Sequence, residues 1–304
     1  MYRRFIAILI STMLLTGCAK EAEISVIPPI STSTQIMNMP SSEHTEQPEI
    51  TQTIPPIMSP TPDMRLKPES WQDWPIIPEA TNRVKEIYQD GLVKGVDQKA
   101  FSKIGDCQNV KEAFMIIYDV NQYYLQDWQK DWQEAIDQFH GFFNRDAKAF
   151  GQGLNVAAAL SPFHSDPEDC LTTEGPLQCE LRIANPAFAF IRFERWWTET
   201  PPDVYEKYLR EIIEITIEHG TVPILMTKAD NIEGKHQINK IIAKLAFEYD
   251  IPLYNWWRAA QALPNNGLDP VKNDNFHLDP IHAWTEQSAY ALGTLYTVWK
   301  GAIE

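Results

Sequence analysis

Basic residues are scarce in this chain. Lys and Arg number 26 against 41 Asp and Glu, which leaves a formal charge of −15 on 304 residues. A surface of that sign repels polyphosphate, so nucleic acid is excluded as an expected partner and the acidic excess reads as solvated surface. A long membrane-spanning run is missing as well. The apolar stretch from Phe5 to Leu15 is short of the ~20 residues that a hydrocarbon core of ~30 Å requires. Between Ala19 and about Pro68 there is no aromatic residue. A stretch built of Pro, Ser, Thr and Glu buries too little apolar surface to offset its ordering entropy. No cluster of His, Cys and Asp has the spacing of a metal site, and no cofactor is expected. Cysteine is rare too, at four residues.

What is present divides the chain in three. Arg3 and Arg4, the apolar run and Leu15-Thr16-Gly17-Cys18 have the layout of a secretory signal. The last four residues resemble the bacterial lipobox, which implies a signal segment over 1–18, lipid on Cys18 and anchoring to the cell membrane on the extracytoplasmic side. Residues 19–70 are expected to form an extended, disordered tether. Residues 71–304 are long enough to bury a sizeable core as one domain. With Cys18 lipidated, three cysteines remain. Cys170 and Cys179 lie close together on a loop-like stretch and form the natural disulfide pair in an oxidising compartment. Cys107 is then the odd thiol.

Within 71–304 the pattern alternates. The spacing of Val84, Ile87 and Tyr88 predicts a helix from Asn82 that stops at Gly91. A short buried strand from Phe101 running into the Gly105-Asp106-Cys107 turn follows, then a helix over about 126–139 on the repeat of Trp128, Trp132, Ala135, Ile136 and Phe139. The stretch from Gly151 to Leu160 opens as a loop and continues as a helix. The apolar run Ala187–Ile191 reads as a buried parallel strand. Asp203–Gly220 reads as an amphipathic helix, Thr221–Thr227 as a strand, Ile238–Tyr249 as a helix, Ile251–Tyr254 as a strand and Ser288–Trp299 as a closing helix. This alternation indicates an α/β fold, a three-layer α/β/α sandwich on a mostly parallel sheet.

In such sheets ligands bind beyond the carboxyl ends of the strands. Cys107, at the end of Gly105-Asp106-Cys107, should lie there, along with the loop after Tyr254. That loop holds two Asp-x-x-His units, Asp274/His277 and Asp279/His282. An acid three residues before a histidine can bond one ring nitrogen and leave the other to take a proton from a nucleophile. The residues alone leave both units as candidates for the working pair.

The order of Phe101-Ser102-Lys103-Ile104-Gly105-Asp106, the Gly151-Gln152-Gly153 loop, and Gly267-Leu268 ahead of Phe276-His277-Leu278 resembles the SGNH/GDSL hydrolases, bacterial lipoprotein-type members above all. The resemblance implies a flavodoxin-like α/β/α hydrolase that cleaves acyl esters, acetylated glycans among them, through an acyl-enzyme. It also implies roles: Cys107 in the place of the nucleophilic serine, His277 as base, Asp274 as its orienting acid, and Gly153, with Gly151 as second choice, as an oxyanion donor. The family ends its third strand in Gly-x-Asn-Asp. Here Glu194 stands for the glycine and Trp196 for the asparagine, so the Trp196 indole N–H, or the Arg195 guanidinium, is the replacement donor to be expected. Loss of one such donor typically costs about 2.7–4 kcal/mol of transition-state stabilisation. The alternative is a catalytically degenerate module that binds cell-wall or extracellular glycans, with the pairs Trp196/Trp197 and Trp256/Trp257 offering flat faces to sugar rings.

Overall fold

The computed structural model describes Asp63 and residues 65–193, 201–272 and 274–304. The expected signal segment, Cys18, most of the tether, Glu194, Arg195, Trp196 and Trp197 lie outside the described residues.

Among the described residues, contacts with the domain begin at Arg65, whose Nη1 donates to the carbonyl of Phe247 at 3.0 Å and to Asp250 at 2.7 Å. Then follow α1 (Asn82–Lys94), β1 (Asp97–Gly105), α2 (Gln133–Gln138), α3 (Pro176–Ala184), β2 (Pro186–Arg192), α4 (Pro202–His219), β3 (Val222–Met226), α5 (Gln237–Tyr249), β4 (Leu253–Tyr254), α6 (Trp256–Ala260) and α7 (Ala283–Ile303). All three strand pairings are parallel, in the order β1-β2-β3-β4. On the outer edge of β1, Gly105 makes a parallel bridge to Phe150, with Gly105 N–H donating to Ala149 at 3.0 Å and Gly151 N–H to Gly105 at 3.3 Å. The chain therefore leaves β1 to one side at residue 150 and returns on the other as β2. That reversal is where an open sheet takes its ligand.

Alternation along β1 assigns its faces. Phe101 and Lys103 point to one side, where Phe101 meets Phe139 at 5.8 Å and Phe139 meets Trp299 of α7 at 5.8 Å. Ser102 points to the other and donates to Glu180 of α3. Helices cover both faces, and the expected parallel α/β sandwich is the observed architecture.

Several boundaries moved. Gly91 does not end α1, which runs on to Lys94 with Gly95 as its cap. A Cβ on Gly91 would lie 2.1 Å from the carbonyl oxygen of Gly220, so this glycine lets α1 touch the end of α4. Residues 126–139 are not one helix: a 3-10 segment, Asp127–Trp132, precedes α2. Only a 3-10 turn, Ala158–Leu160, forms after the glycine loop. Cys179 is on α3, not in a loop; Pro176 starts that helix and Asn185, in the left-handed region, caps it.

Cys170 and Cys179 are joined by a disulfide that closes a nine-residue separation. Replacing both by Ser should lower stability by about 2–3 kcal/mol, as the denatured chain regains the loop's freedom. Chemical denaturation under non-reducing conditions checks this; a loss no larger than that of an exposed Ser substitution would contradict it.

Lys103 is a second testable feature. It is 2% exposed, and its Nζ donates to the carbonyls of Phe143 at 2.8 Å and Phe114 at 3.3 Å. Burial lowers its pKa from the usual 10.5 to about 7, against the opposing pull of Asp146. The folded chain thus releases this proton near pH 7 while the unfolded chain holds it to 10.5. Below pH 7 both states are protonated and the full penalty for burying the cation applies. Above it the penalty fades, so stability rises with pH by roughly 1.4 kcal/mol per unit. Urea titrations of wild type and Lys103→Met at pH 6, 8 and 9.5 should show the variant's relative advantage shrinking as pH rises. A difference independent of pH would refute the assignment.

Candidate active site

The site starts from the end of β1. Gly105 has φ 149°, and a Cβ there would fall 1.7 Å from the carbonyl oxygen of Arg192 and 2.2 Å from Asn109 Nδ2. No other residue fits without moving β2. The strand then breaks into a short 3-10 turn, Cys107–Asn109, which Asp106 caps by accepting the Gln108 N–H at 3.0 Å. Asn109 Nδ2 donates back to the Arg192 carbonyl at 3.0 Å. Strand, cap and amide together fix the direction in which the half-buried Cys107 leaves the sheet.

The second half of the site comes from far along the chain. After α6, Leu268 and Leu278 make an antiparallel bridge. Asp269 N–H donates to the His277 carbonyl at 2.8 Å and Asp279 N–H to the Gly267 carbonyl at 2.9 Å. These bonds pinch 269–277 into a closed loop. Inside it Asp274 Oδ1 accepts the N–H groups of Phe276 at 3.1 Å and His277 at 3.0 Å. Its Oδ2 meets His277 Nδ1 at 2.5 Å. The other ring nitrogen, Nε2, lies 3.9 Å from Cys107 Sγ. Gln108 Nε2 reaches the Phe276 carbonyl at 3.5 Å, tying the histidine loop to the turn that holds the thiol. Partial burial pushes the Asp274 carboxyl up, but the backbone N–H and ring of His277 and the N–H of Phe276 outweigh it and hold it below the usual range.

Asp279 and His282 repeat the local geometry, with Oδ2 to Nδ1 at 2.6 Å, yet point elsewhere. Asp279 Oδ1 accepts the Ile281 N–H at 2.9 Å, and His282 precedes α7 with half its side chain in water. Only His277 of the two is at the thiol. Of the glycine loop, Gly151 is bonded to the end of β1, while Gly153, two residues further on, is exposed.

Past the end of β3 lies a group that sequence reasoning passed over. Lys228 Nζ is 2.8 Å from Asp230 and 2.7 Å from Glu233, with Lys228 and Asp230 almost fully buried. Burial raises the Asp230 pKa to about 6, with Lys228 pulling the other way. A Lys-x-Asp at the end of an apolar strand was its signal. The tryptophan pair that the structure describes is not a sugar platform: Trp256 is fully buried, and Trp257 packs on Trp71 at 4.9 Å and His236 at 5.5 Å.

No family model matches this sequence, and no curated protein does. Solved structures do. The lipase/acylhydrolase from Enterococcus faecalis is 12% identical, with 64% of this chain and 94% of that chain covered and a TM-score of 0.40. An acetyl xylan esterase is 14% identical over 64% of this chain and 97% of that one, at 0.40. A two-domain esterase active on acetylated mannans is 13% identical over 77% of this chain and 57% of that one, at 0.43.

Proposed function

We propose that this chain is a surface-tethered ester hydrolase of the SGNH kind that works through a Cys107–His277–Asp274 triad. The observation that carries the reading is the approach of His277 Nε2 to Cys107 Sγ at 3.9 Å, with the opposite ring nitrogen held by Asp274 at 2.5 Å. In this reading His277 takes the thiol proton and the sulfur attacks the ester carbonyl carbon. The alcohol then leaves with the proton that His277 returns to it. Water, deprotonated by the same imidazole, attacks the thioester and releases the acid. The backbone N–H of Gly153, with the Trp196 indole in place of the family's asparagine, supplies the oxyanion donors in this reading, since the Gln108 and Asn109 N–H groups of the turn are held by Asp106. The substrates are acyl esters, acetylated glycans among them. Lipid on Cys18 and a tether that ends ahead of Arg65, where the chain joins the domain, rather than at residue 70, hold the domain on the extracytoplasmic side of the membrane, where a disulfide persists.

The test is hydrolysis of p-nitrophenyl acetate and of longer p-nitrophenyl esters by the purified chain. Turnover that depends on Cys107 is expected. No turnover above that of Cys107→Ala would remove the hydrolase reading and leave the degenerate binding module in its place.

A further inference from the structure

The tryptophans of the 3-10 segment Asp127–Trp132 part company. Trp132 is 7% exposed and seats against α7, where a Cβ on Gly293 would lie 2.6 Å from its ring. Trp128, four residues earlier, is 59% exposed, and Tyr124 is 84% exposed. Exposure of this degree in a large aromatic usually means a mobile side chain, but Trp128 is held. Its indole N–H donates to Gln126 Oε1 at 2.8 Å, and the ring of Trp132 meets it at 5.1 Å and 82°. Gln126 is itself fixed, since its N–H donates to Gln129 Oε1 at 3.0 Å. The segment thus presents an oriented indole to water, and a second exposed aromatic, Tyr124, lies four residues before it in the chain.

Its surroundings select the occupant. Asn121, Gln122, Gln126 and Asp131 are exposed, offering amides and a carboxylate. The nearby cations are already used, Lys130 by Asp127 at 2.7 Å and Lys300 by Glu134 at 3.3 Å. A nucleic acid or an anionic lipid headgroup finds no basic footing there. Two aromatic rings of ~150–250 Å² each fall well short of the ~1,000 Å² that a stable protein interface needs. They suit a weak, extended ligand with an apolar face and a hydroxyl edge, which is the chemistry of a pyranose chain.

We propose that Tyr124 and Trp128, on a stretch that also exposes the amides of Asn121, Gln122 and Gln126, form a surface site for a neutral polysaccharide, separate from the Cys107 turn. The site stands whether or not Cys107 turns over esters. Each ring would contribute on the order of a tenfold affinity gain, from ~60 Å² of apolar contact.

Native affinity electrophoresis of the full chain in detergent, in gels containing xylan, glucomannan or hydroxyethyl cellulose, tests this. At least one polysaccharide should retard the wild-type chain. Trp128→Ala and Tyr124→Ala should each weaken that retardation on the order of tenfold, Trp128→Phe should retain most of it, and Cys107→Ala should leave it intact. An unchanged thermal midpoint in the alanine variants separates lost binding from lost fold. Mobility of wild type in all three gels equal to that in a gel without polysaccharide, or retardation unaffected by either alanine, would overturn the proposal. So would a wild-type dimer in sedimentation that Trp128→Ala dissociates, because the rings would then be a contact between copies of this chain.

Discussion

Replacing His277 with Ala should lower ester turnover about a hundred- to ten-thousand-fold, the usual contribution of a positioned general base, while His282→Ala should leave it within about twofold. Both histidines have an aspartate three residues earlier and a tight Nδ1 contact to it; only the outer nitrogen of His277 is near sulfur. Alkylation of Cys107 by iodoacetamide reads the same geometry without any ester. With Nε2 of His277 3.9 Å from the sulfur and able to take its proton, alkylation at pH 7 should be faster in wild type than in His277→Ala. Asp274→Asn should lie between, since the carboxylate, held below the ordinary range, stays charged through the working pH and supports the imidazolium. Identical alkylation profiles in wild type and His277→Ala would sink the pairing even if esterase activity were present.

The largest stability loss should come from Glu180→Ala. Glu180 is fully buried and accepts from Ser102 of β1, from both Nη1 and Nη2 of Arg145, and from the Lys148 N–H at 2.6 Å. Removing it strands a partly buried guanidinium and a buried hydroxyl at once. Breaking a buried pair by deleting one partner costs about 3–5 kcal/mol, most of it the penalty of the charge left behind. Arg145→Met in the Glu180→Ala background should therefore recover part of the loss. Denaturant midpoints with unchanged slopes would measure both. A loss under about 1 kcal/mol, the value of an exposed pair, would mean that this network carries little of the α3–β1 contact.

The same network explains one error of sequence reading. The stretch around Cys170 and Cys179 reads as loop because Thr-Thr and Gly-Pro interrupt it. Proline, however, is well suited to the first helical position. From Pro176 the chain turns helical, burying Leu177, Cys179 and Leu181 and aiming Glu180 at Ser102. The expected helix over 126–139 failed for a related reason. Trp132 is pinned on α7 at Gly293, and the segment before it tightens to 3-10 geometry. Apolar spacing revealed that Trp128 and Trp132 share a helix-like segment. It could not reveal that α7 covers one and leaves the other in water.

The sequence by itself determined the parallel α/β pattern, the order of its main elements and the Gly-Asp-Cys turn. Those follow from local rules: buried strands are continuous apolar runs, amphipathic helices repeat every 3.6 residues, and Gly, Pro and Asn mark ends. Tertiary structure decided which of two identical Asp-x-x-His units faces the thiol. It also decided that residue 150 and β2 flank β1 on opposite edges, and that Lys228, Asp230 and Glu233 share a buried site. These depend on contacts across as many as 170 residues. Local spacing is the same for Asp274/His277 and Asp279/His282; only the pinched loop and the start of α7 make them different.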